Sequence, residues 1–384
     1  MRKNIAILGS TGSIGTTTLK IISKKKNLFN VHTLVANSNY LEISKQILKF
    51  KPTNFIINDH KTFEKIQKKF RNKKVNIYNN FINIKSKNKL DLTVVAIPGI
   101  EGLEPTIHYT KISKKILLAN KESIICGWNL ISKNAKKYKT KIIPLDSEHF
   151  SINELIKTHK VNEIKKIYLT ASGGPFLKTP NKKLKFVKPL QALKHPKWNM
   201  GKKISIDSAT LMNKILELIE ARKIFNIDYK KFDIIIHPQS LVHAIIELHN
   251  GTLKLLYHLP DMTIPIVNAL FDSKLNIDDF LNTRNVKIEN LQFLKPSSKK
   301  FPSLKIIPKL NKYVSTPIIV NAANEILVDQ FLKQKISYNS IMIYLLRVLK
   351  DKNYKKYAIQ NPVNLQKIYM IDKWSRNITK KLIN

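Results

Sequence analysis

The sequence predicts an α/β protein with a parallel sheet in its N-terminal part, a second sheet in the middle and a helical C-terminal part. Between residues 4 and 146, short β-branched apolar runs alternate with amphipathic stretches, which is typical of parallel strands covered by helices. From about residue 299, strand signals fade and apolar residues recur at helical spacing. The 384 residues are long enough for two or three domains.

The N-terminal strands are the clearest local signal. The apolar runs that predict them are NIAIL, VHTLVA, NFIIN, VNIY, LTVVAI, KILLA and KIIPL. Amphipathic segments such as TTTLKIISKK lie between most of them, so helices should connect the strands. We therefore expect residues 1–146 to form one domain.

The pattern changes after residue 147. Further strands are predicted by IKKIYLTAS, FDIIIH, LVHAIIEL and TLKLLYHL, so residues 147–271 should contain a second sheet. The stretch 172–201 is rich in Pro and Lys and lacks clear periodicity; loops of that length are often functional flaps. One capped helix is predicted over 208–225, with Asp207 or Ser208 near its start.

The last two predicted segments differ: the first shows few secondary-structure signals, and the second is strongly helical. Residues 272–298 are expected to be a linker. Residues 299–384 contain NAANEILVDQFLKQ, YNSIMIYLLRVLK and NLQKIYMIDKWSRNITKKL, which predict a small helical domain.

The composition limits which classes of protein the chain can belong to. The net charge of +42 favours anionic partners, but the lysines are spread along the whole chain together with isoleucine and asparagine, as an A/T-rich genome would produce. No apolar run is long enough for a membrane span. The single cysteine, Cys126, excludes an internal disulfide; it suits a reducing cytoplasm and is expected to be a buried structural thiol.

A glycine-rich loop follows the first predicted strand. Gly9, Gly12 and Gly15 have the spacing G-x-x-G-x-x-G and precede a predicted helix. Such loops let the backbone approach the pyrophosphate of a dinucleotide at a helix N-terminus, although a purely structural βα turn is the alternative. The second strand ends in Asn37-Ser38-Asn39, which carries no acid to repel a 2′-phosphate and mildly favours NADPH.

Two acids flank a serine after the predicted strand KIIPL. In an extended chain, Asp146 and Glu148 point to the same side, and a divalent cation between them would relieve their repulsion. The predicted helix 208–225 places Asn213, Lys214 and Glu217 on one face, which could hold a metal and an anion side by side. From spacing alone, an ordinary solvated helix face is the simpler interpretation.

The histidines carry a weaker signal. His195 lies in the stretch 172–201, close to Trp198. His237 and His243 lie in or beside apolar strands, where a histidine is usually a core residue with hydrogen-bonded nitrogens.

Taken together, several long motifs resemble one enzyme family from end to end. They are GSTGSIG, LLANKES, PLDSEH, TASGGPF, HPKWNMGKKISIDSATLMNK, LELIEAR, IHPQSLVH, LPDMTIPI and NAANE. Their order is similar to that of 1-deoxy-D-xylulose 5-phosphate reductoisomerases of the non-mevalonate isoprenoid pathway. The resemblance implies rearrangement and NADPH-dependent reduction of 1-deoxy-D-xylulose 5-phosphate to 2-C-methyl-D-erythritol 4-phosphate. It also implies a divalent metal (Mg²⁺, Mn²⁺ or Co²⁺), a homodimer, a Rossmann-like domain, an α+β connective catalytic domain with a flap, and a C-terminal helical bundle.

The resemblance implies roles for individual residues. It implies metal ligands at Asp146, Glu148 and Glu217, and catalytic roles for Lys121, Glu148, Glu217 and His195. The implied substrate contacts are Lys121, Ser147, Glu148, Ser172, His195, Trp198, Ser208, Asn213, Lys214 and Glu217, with Ser208 near a helix start. The implied cofactor contacts are Thr11, Gly12, Ser13, Ile14, Asn37, Ser38, Asn39, Asn120, Glu122 and Gly201.

Some positions depart from the family pattern. Ser38 stands where some relatives have a basic residue, Ile215 where a small residue is expected, and Leu259 where a smaller or polar residue is expected. Two alternatives stay open. One is an NADP-dependent dehydrogenase without rearrangement, which would not need a carboxylate metal site. The other is a nucleic-acid-binding protein, against which the diffuse lysines count.

Overall fold

The structure is a computed structural model that describes residues 2–81, 84, 88–198, 200–282 and 290–384. The chain divides into two compact units. The first unit consists of Met1–Ser123, Leu130–Asp146 and Met262–Val286, and the second of Ile124–Asn129, Ser147–Asp261 and Lys287–Asn384. Part of the predicted linker (283–289) and Asn199 of the predicted flap lie outside the described residues. The four predicted domain ranges stay predictions.

The described residues contain eleven strands and a larger set of helices. The strands are β1 (Lys3–Leu8), β2 (Phe29–Ala36), β3 (Asn54–Ile57), β4 (Asn76–Tyr78), β5 (Leu90–Val95), β6 (Ser113–Leu118), β7 (Lys141–Pro144), β8 (Ile164–Ala171), β9 (Phe232–Ile236), β10 (Val242–Leu248) and β11 (Leu253–Tyr257). The α-helices are α1 (Ser13–Lys24), α2 (Tyr40–Phe50), α3 (His60–Phe70), α4 (Leu103–Ile112), α5 (Lys121–Lys137), α6 (Ser147–Ile156), α7 (Pro189–Ala192), α8 (Lys202–Ala209), α9 (Met212–Phe225), α10 (Thr263–Phe271), α11 (Ile307–Leu310), α12 (Thr316–Leu332), α13 (Tyr338–Val348), α14 (Tyr354–Ala358) and α15 (Leu365–Ile383).

The first unit is built on a seven-stranded sheet in the order β4-β3-β2-β1-β5-β6-β7. All its strand pairs are parallel. Strand β1 lies at the centre of the sheet, and its buried side chains include Ile5 and Ile7. Helices cover the sheet because its strands are apolar on both faces. The predicted parallel sheet is confirmed, and each of the seven predicted runs forms a strand.

The second unit contains a four-stranded sheet in the order β11-β10-β8-β9. Its pairs β8–β10 and β10–β11 are antiparallel, whereas β8–β9 is parallel. Helices α12, α13 and α15 pack together through buried residues such as Ile319, Ile341 and Ile371. The predicted second sheet and helical C-terminal region are therefore confirmed. None of the helices in the described ranges has the length and hydropathy needed to cross a bilayer.

The single helix predicted over 208–225 is wrong. The chain forms two helices, α8 and α9, separated by Thr210 and Leu211. Leu211 has a φ of 61°, in the left-handed region, so the helix cannot continue through it. No glycine or proline marks this break. The break therefore depends on tertiary contacts that local sequence does not reveal.

The glycines of the loop after β1 permit close packing of backbone on backbone. Gly9 has a φ of +88°, and a Cβ built on it would lie 2.5 Å from the carbonyl oxygen of Ala96. A Cβ on Gly15 would lie 2.3 Å from the carbonyl oxygen of Gly9. A Cβ on Gly12 meets only the Gly9 oxygen, at 3.5 Å, which is an ordinary contact. Gly9 and Gly15 are thus required by packing, and Gly12 is not.

We predict that Gly15→Ala destabilises the protein by about 2–3 kcal/mol because the new methyl group overlaps backbone atoms that cannot move independently. Gly12→Ala is the matched control and should cost roughly 1 kcal/mol or less, the expected loss at a helix N-cap. Urea unfolding of both variants measures the difference. Equal stabilities would show that the loop adapts to a Cβ at residue 15.

Candidate active site

In the first unit, the residues implicated by sequence lie at the carboxyl ends of the parallel strands. Gly9 directly follows β1, Asn120 lies two residues after β6, and Asp146 lies two residues after β7. Ligands of open parallel α/β sheets bind at this edge because the loops there converge. The sheet topology therefore brings these three positions to one side of the first unit.

The loop from Thr11 to Ile14 leads into α1. Gly12 is the N-cap residue of α1, and no side chain hydrogen-bonds to the first turn at this position. Gly12 and Ser13 are exposed. The N–H groups at the start of a helix carry partial positive charge, so this loop can bind an anion such as a pyrophosphate.

Asn120 joins two of the loops at the same edge. Its side-chain oxygen accepts a hydrogen bond from the Ser123 N–H (2.7 Å) at the start of α5. Its Nδ2 donates to the carbonyl oxygens of Ile97 (2.6 Å) and Gly99 (3.0 Å). Nδ2 also lies 3.2 Å from Oε2 of Glu122. Asn120 and Glu122 are both buried, and the hydrogen bonds of Asn120 tie the loop after β5 to the loop after β6 at this edge.

Lys121 and Asp146 form an ion pair in the first unit. The Lys121 Nζ lies 3.4 Å from Asp146 Oδ2, and the lysine is buried. A buried ammonium next to a carboxylate provides fixed positive charge at the end of β7. The residues Asn37, Ser38 and Asn39 after β2 are exposed, and Asn39 caps α2 by accepting from the Glu42 N–H at 3.1 Å.

In the second unit, Glu148 lies in the first turn of α6. The expectation that Asp146 and Glu148 belong to one extended chain is wrong, because α6 begins at Ser147. The Ser147 hydroxyl is buried and donates to Glu148 Oε2 at 2.6 Å. The carboxylate is thereby fixed near the helix N-terminus, where negative charge is favoured.

Glu148 and Glu217 converge on one lysine. The Lys214 Nζ donates to Glu148 Oε1 and lies 2.6 Å from Glu217 Oε2. The carboxylates of Glu148 and Glu217 have oxygens within 4.8 Å of each other. Asn213 Nδ2 donates to the other Glu217 oxygen. Two helices thus bring two carboxylates together around the Lys214 ammonium.

This polar cluster is buried. Lys214 is 6% exposed and Glu217 is 1% exposed, so the interpretation of α9 as having an ordinary solvated face is wrong. Buried charges are costly unless they are paired, and here each is paired with another. The cluster is a structured site rather than a solvated helix surface.

A second group of polar side chains lies where the loop after β8 meets the end of α8. A Cβ on Gly174 would lie 2.8 Å from the Ala209 Cα and 2.9 Å from the Ser208 carbonyl oxygen. The absence of a side chain at Gly174 therefore lets the Ser172 loop pack directly on Ser208. The hydroxyls of Ser172 and Ser208 belong to half-buried residues in adjacent segments.

Ser208 does not lie near a helix start. It is the penultimate residue of α8, because this helix ends at Ala209. The first turn of α9 instead contains Asn213 and Lys214. The helix N-terminus that was expected to favour an anion therefore belongs to α9.

His195 links the predicted flap to the Ser172 loop. Its Nε2 lies 2.9 Å from the Ser172 Oγ. Its Nδ1 accepts hydrogen bonds from the N–H groups of Lys197 (3.2 Å) and Trp198 (2.9 Å). Nδ1 therefore lacks a proton, and Nε2 donates to the serine. Burial and the nearby Lys214 charge lower the pKa of His195 to about 4, which keeps the imidazole neutral.

The flap contains short helical turns rather than continuous loop. A 3₁₀ helix covers Asn181–Phe186, and α7 follows it. The Trp198 ring meets the His243 ring edge to face, with centroids 6.1 Å apart. Gly201 is exposed and is the N-cap residue of α8. The flap thus ends where α8 begins.

A buried pair behind the acidic cluster was not predicted from the sequence. His149 follows Glu148 in α6, and its Nε2 lies 3.0 Å from the Glu217 carbonyl oxygen. Its Nδ1 lies 3.9 Å from Glu220 Oε2, and both residues are buried. The signal in the sequence was Glu220 at three residues after Glu217, on the same side of α9.

The prediction that His237, His243 and Cys126 are core residues is confirmed, but the expected hydrogen bonding is incomplete: His237 Nδ1 lies 2.9 Å from the Gln292 carbonyl oxygen, and no residue of the described ranges bonds its Nε2. His237 and His243 are 0% and 2% exposed, and Cys126 is a buried free thiol. His243 stacks on His258 with ring centroids 3.8 Å apart.

Three family models match the chain. They describe 1-deoxy-D-xylulose 5-phosphate reductoisomerase (residues 5–127), its C-terminal domain (142–225) and the DXP reductoisomerase C-terminal domain (258–378). A reductoisomerase of Pelagibacter ubique is 45% identical, covering 95% of this chain and 96% of the relative. One of Clostridium novyi is 42% identical, covering 88% and 90%.

Solved structures are similar over the full length. The reductoisomerase of Zymomonas mobilis in complex with NADPH has a TM-score of 0.87 and 30% identity, with 100% of both chains covered. A DOX-P reductoisomerase in complex with NADPH, fosmidomycin and magnesium has a TM-score of 0.91 and 34% identity, covering 99% of this chain and 98% of that chain. With the site geometry above, these matches show that the chain belongs to the 1-deoxy-D-xylulose 5-phosphate reductoisomerase family.

Proposed function

We propose that the residues described above carry out the family reaction, and we assign each a role. The reaction is the NADPH-dependent isomerisation and reduction of 1-deoxy-D-xylulose 5-phosphate to 2-C-methyl-D-erythritol 4-phosphate, with a divalent metal, in isoprenoid precursor biosynthesis. The observation that carries the assignment is the convergence of Glu148 and Glu217 on Lys214. A simple dehydrogenase would not need this carboxylate pair.

Asp146, Glu148 and Glu217 are proposed to hold the metal. The fit rests on donor chemistry: hard divalent cations prefer carboxylate oxygens, and Glu148 and Glu217 have oxygens within 4.8 Å of each other. Asp146 precedes Glu148 by two residues, so their Cα atoms lie within about 7 Å by chain length alone. When bound, the cation supplies Lewis-acid polarisation of substrate oxygens.

The loop Thr11–Ile14 is proposed to hold the NADPH pyrophosphate. The fit rests on the exposed start of α1 and on the close backbone packing that Gly9 and Gly15 permit. Asn37, Ser38 and Asn39 would face the 2′-phosphate with neutral donors, and Asn120, Glu122 and Gly201 would complete the cofactor contacts. When bound, NADPH supplies the hydride.

Ser172, Ser208, Asn213 and Lys214 are proposed to bind the substrate phosphate. Hydroxyl and amide donors with one ammonium suit a phosphate dianion, and α9 adds its N-terminal charge. Gly174 supports the proposal because it lets the Ser172 loop pack against Ser208. Ser147 would contact the substrate beside Glu148.

His195 and Trp198 are proposed to cover the substrate and exclude water. The neutral His195 holds the flap by accepting two backbone N–H groups while it donates to Ser172. A flap closed in this way strengthens every electrostatic contact beneath it. Lys121, buried beside Asp146, is proposed to stabilise negative charge that develops on a substrate oxygen.

We also propose that the protein is a cytoplasmic homodimer. The edge strand β11 supports self-association, since Leu253 and Leu255 are 64% and 44% exposed on one face of it. Edge strands with unpaired backbone groups and apolar side chains are prone to pair with a second copy. The single free cysteine fits a reducing compartment.

We predict that Glu217→Gln lowers kcat at least about a hundredfold because one proposed metal ligand loses its charge. NADPH binding, followed by fluorescence titration, should be unchanged. Glu154→Gln, on the part-exposed side of α6, is the control and should retain activity. Loss of NADPH affinity in Glu217→Gln would place α9 in the cofactor site instead.

A chelator experiment tests the metal requirement. NADPH oxidation, followed by absorbance, should require both 1-deoxy-D-xylulose 5-phosphate and Mg²⁺ or Mn²⁺. Excess EDTA should abolish it, and added Mg²⁺ should restore it, because Glu148 and Glu217 would lose the cation that they bind. Full turnover in EDTA would refute the metal role.

The low pKa of His195 predicts a pH dependence of stability. The unfolded chain protonates this histidine near pH 6.5, and the folded chain only near pH 4. Stability from the neutral His195 is therefore complete above pH 6.5 and is lost as the pH falls towards 4. Urea unfolding of the wild type and of His195→Gln should show a stability difference that shrinks over this window. A difference that is constant with pH contradicts the pKa shift.

A further inference from the structure

The last residues of α8 and the turn after it, together residues 207–211, have polar atoms that are held by the C-terminal region of the chain. The last carbonyl groups of a helix lack partners within it and must be satisfied from outside. At the end of α8, the Ala209 carbonyl oxygen accepts from the Tyr338 hydroxyl at 2.6 Å. The Thr210 carbonyl oxygen accepts from the Ser303 hydroxyl at 2.8 Å.

A third contact holds the side chain before Ser208. The Asp207 Oδ1 accepts from the Asn324 Nδ2 at 2.7 Å, and its Oδ2 accepts from the Lys203 Nζ at 2.9 Å. Asp207 is 1% exposed and Asn324 is 0% exposed. This bond ties α8 to α12 without contact to solvent.

Tyr338 also reaches the other serine-bearing segment. Its ring packs edge to face against Phe176, with centroids 5.3 Å apart, and Phe176 lies two residues after Gly174. Burial raises the pKa of Tyr338, so its hydroxyl stays protonated and donates. One side chain from α13 therefore contacts both the Ser172 loop and the turn that follows Ser208.

The turn determines how α8 and α9 are related. Leu211 adopts a left-handed conformation that a β-carbon disfavours, and such a residue persists only where surrounding contacts hold it. Ser208 lies before this residue, while Asn213 and Lys214 lie after it. A small change in the turn would therefore move the hydroxyl donor relative to the amide and ammonium donors.

We propose that Ser303, Asn324 and Tyr338 are positioning residues for the substrate-phosphate subsite. They contact none of the proposed phosphate donors with their own polar atoms, and they act by fixing the turn that carries Ser208. The inference rests on the proposed function, since it takes Ser172, Ser208, Asn213 and Lys214 as the phosphate donors.

The test is steady-state kinetics of Ser303→Ala, Tyr338→Phe and the double variant. Each removes a hydroxyl and keeps the rest of the side chain. The KM for 1-deoxy-D-xylulose 5-phosphate should rise about fivefold in each single variant and more in the double, as expected for one lost hydrogen bond at each site. The KM for NADPH should stay unchanged, and the effect on kcat should be smaller.

Ser375→Ala is the matched control. The Ser375 hydroxyl is buried and donates to the Ile319 carbonyl oxygen at 2.8 Å, the same chemistry as Ser303, but far along the chain from the turn. Melting temperatures compare the loss of stability. If Ser303→Ala and Ser375→Ala lose similar stability and only the former raises the substrate KM, the positioning role is supported. Equal KM values in both overturn it.

Ser208→Ala separates the inference from the proposal beneath it. A raised substrate KM in Ser208→Ala, with none in the double variant, overturns the positioning role alone. An unchanged KM in Ser208→Ala removes the proposed phosphate subsite, and the positioning role with it. Should the double variant fail to fold, Tyr338→Phe alone decides, because its aromatic contact with Phe176 is retained.

Discussion

Two glutamates from different helices share one buried lysine, and much of the second unit is arranged around that contact. Glu148 and Glu217 would repel each other in a buried site if Lys214 were not between them. The arrangement requires α6 to begin at Ser147 and α9 to begin close to Lys214. A divalent cation would satisfy the same two carboxylates, since such cations prefer carboxylate oxygens, and this is the basis of the proposed metal site.

Backbone packing keeps the surrounding donors in place. Gly174 allows the Ser172 loop to approach the end of α8, and Leu211 turns the chain into α9. In the first unit, Gly9 and Gly15 do the same for the loop before α1. Each site thus depends on positions where a side chain is absent or where the backbone is left-handed, and both are features of loops that carry function on a rigid scaffold.

Strands and helices of the first unit could be predicted from sequence because β-branched runs and amphipathic segments alternate there with little ambiguity. Spacing alone points to the glycine loop, to Asp146 and Glu148, and to the polar positions of α9, whereas most individual roles come only from the resemblance to a family. The break at Leu211 could not be predicted, since no glycine or proline marks it and distant hydroxyls satisfy its carbonyl groups. The burial of Lys214 could not be predicted either, because lysine is rarely buried in proteins and its partner Glu148 lies 66 residues away.

Crystals soaked in Mn²⁺ would test the central claim most directly. Anomalous diffraction should show one strong peak bounded by the carboxylates of Asp146, Glu148 and Glu217, with Lys214 displaced from between the two glutamates. Glu148→Gln crystals treated in the same way should lose the peak. A Mn²⁺ peak elsewhere, or none beside Glu217 while Lys214 keeps both of its ion pairs, would contradict the account.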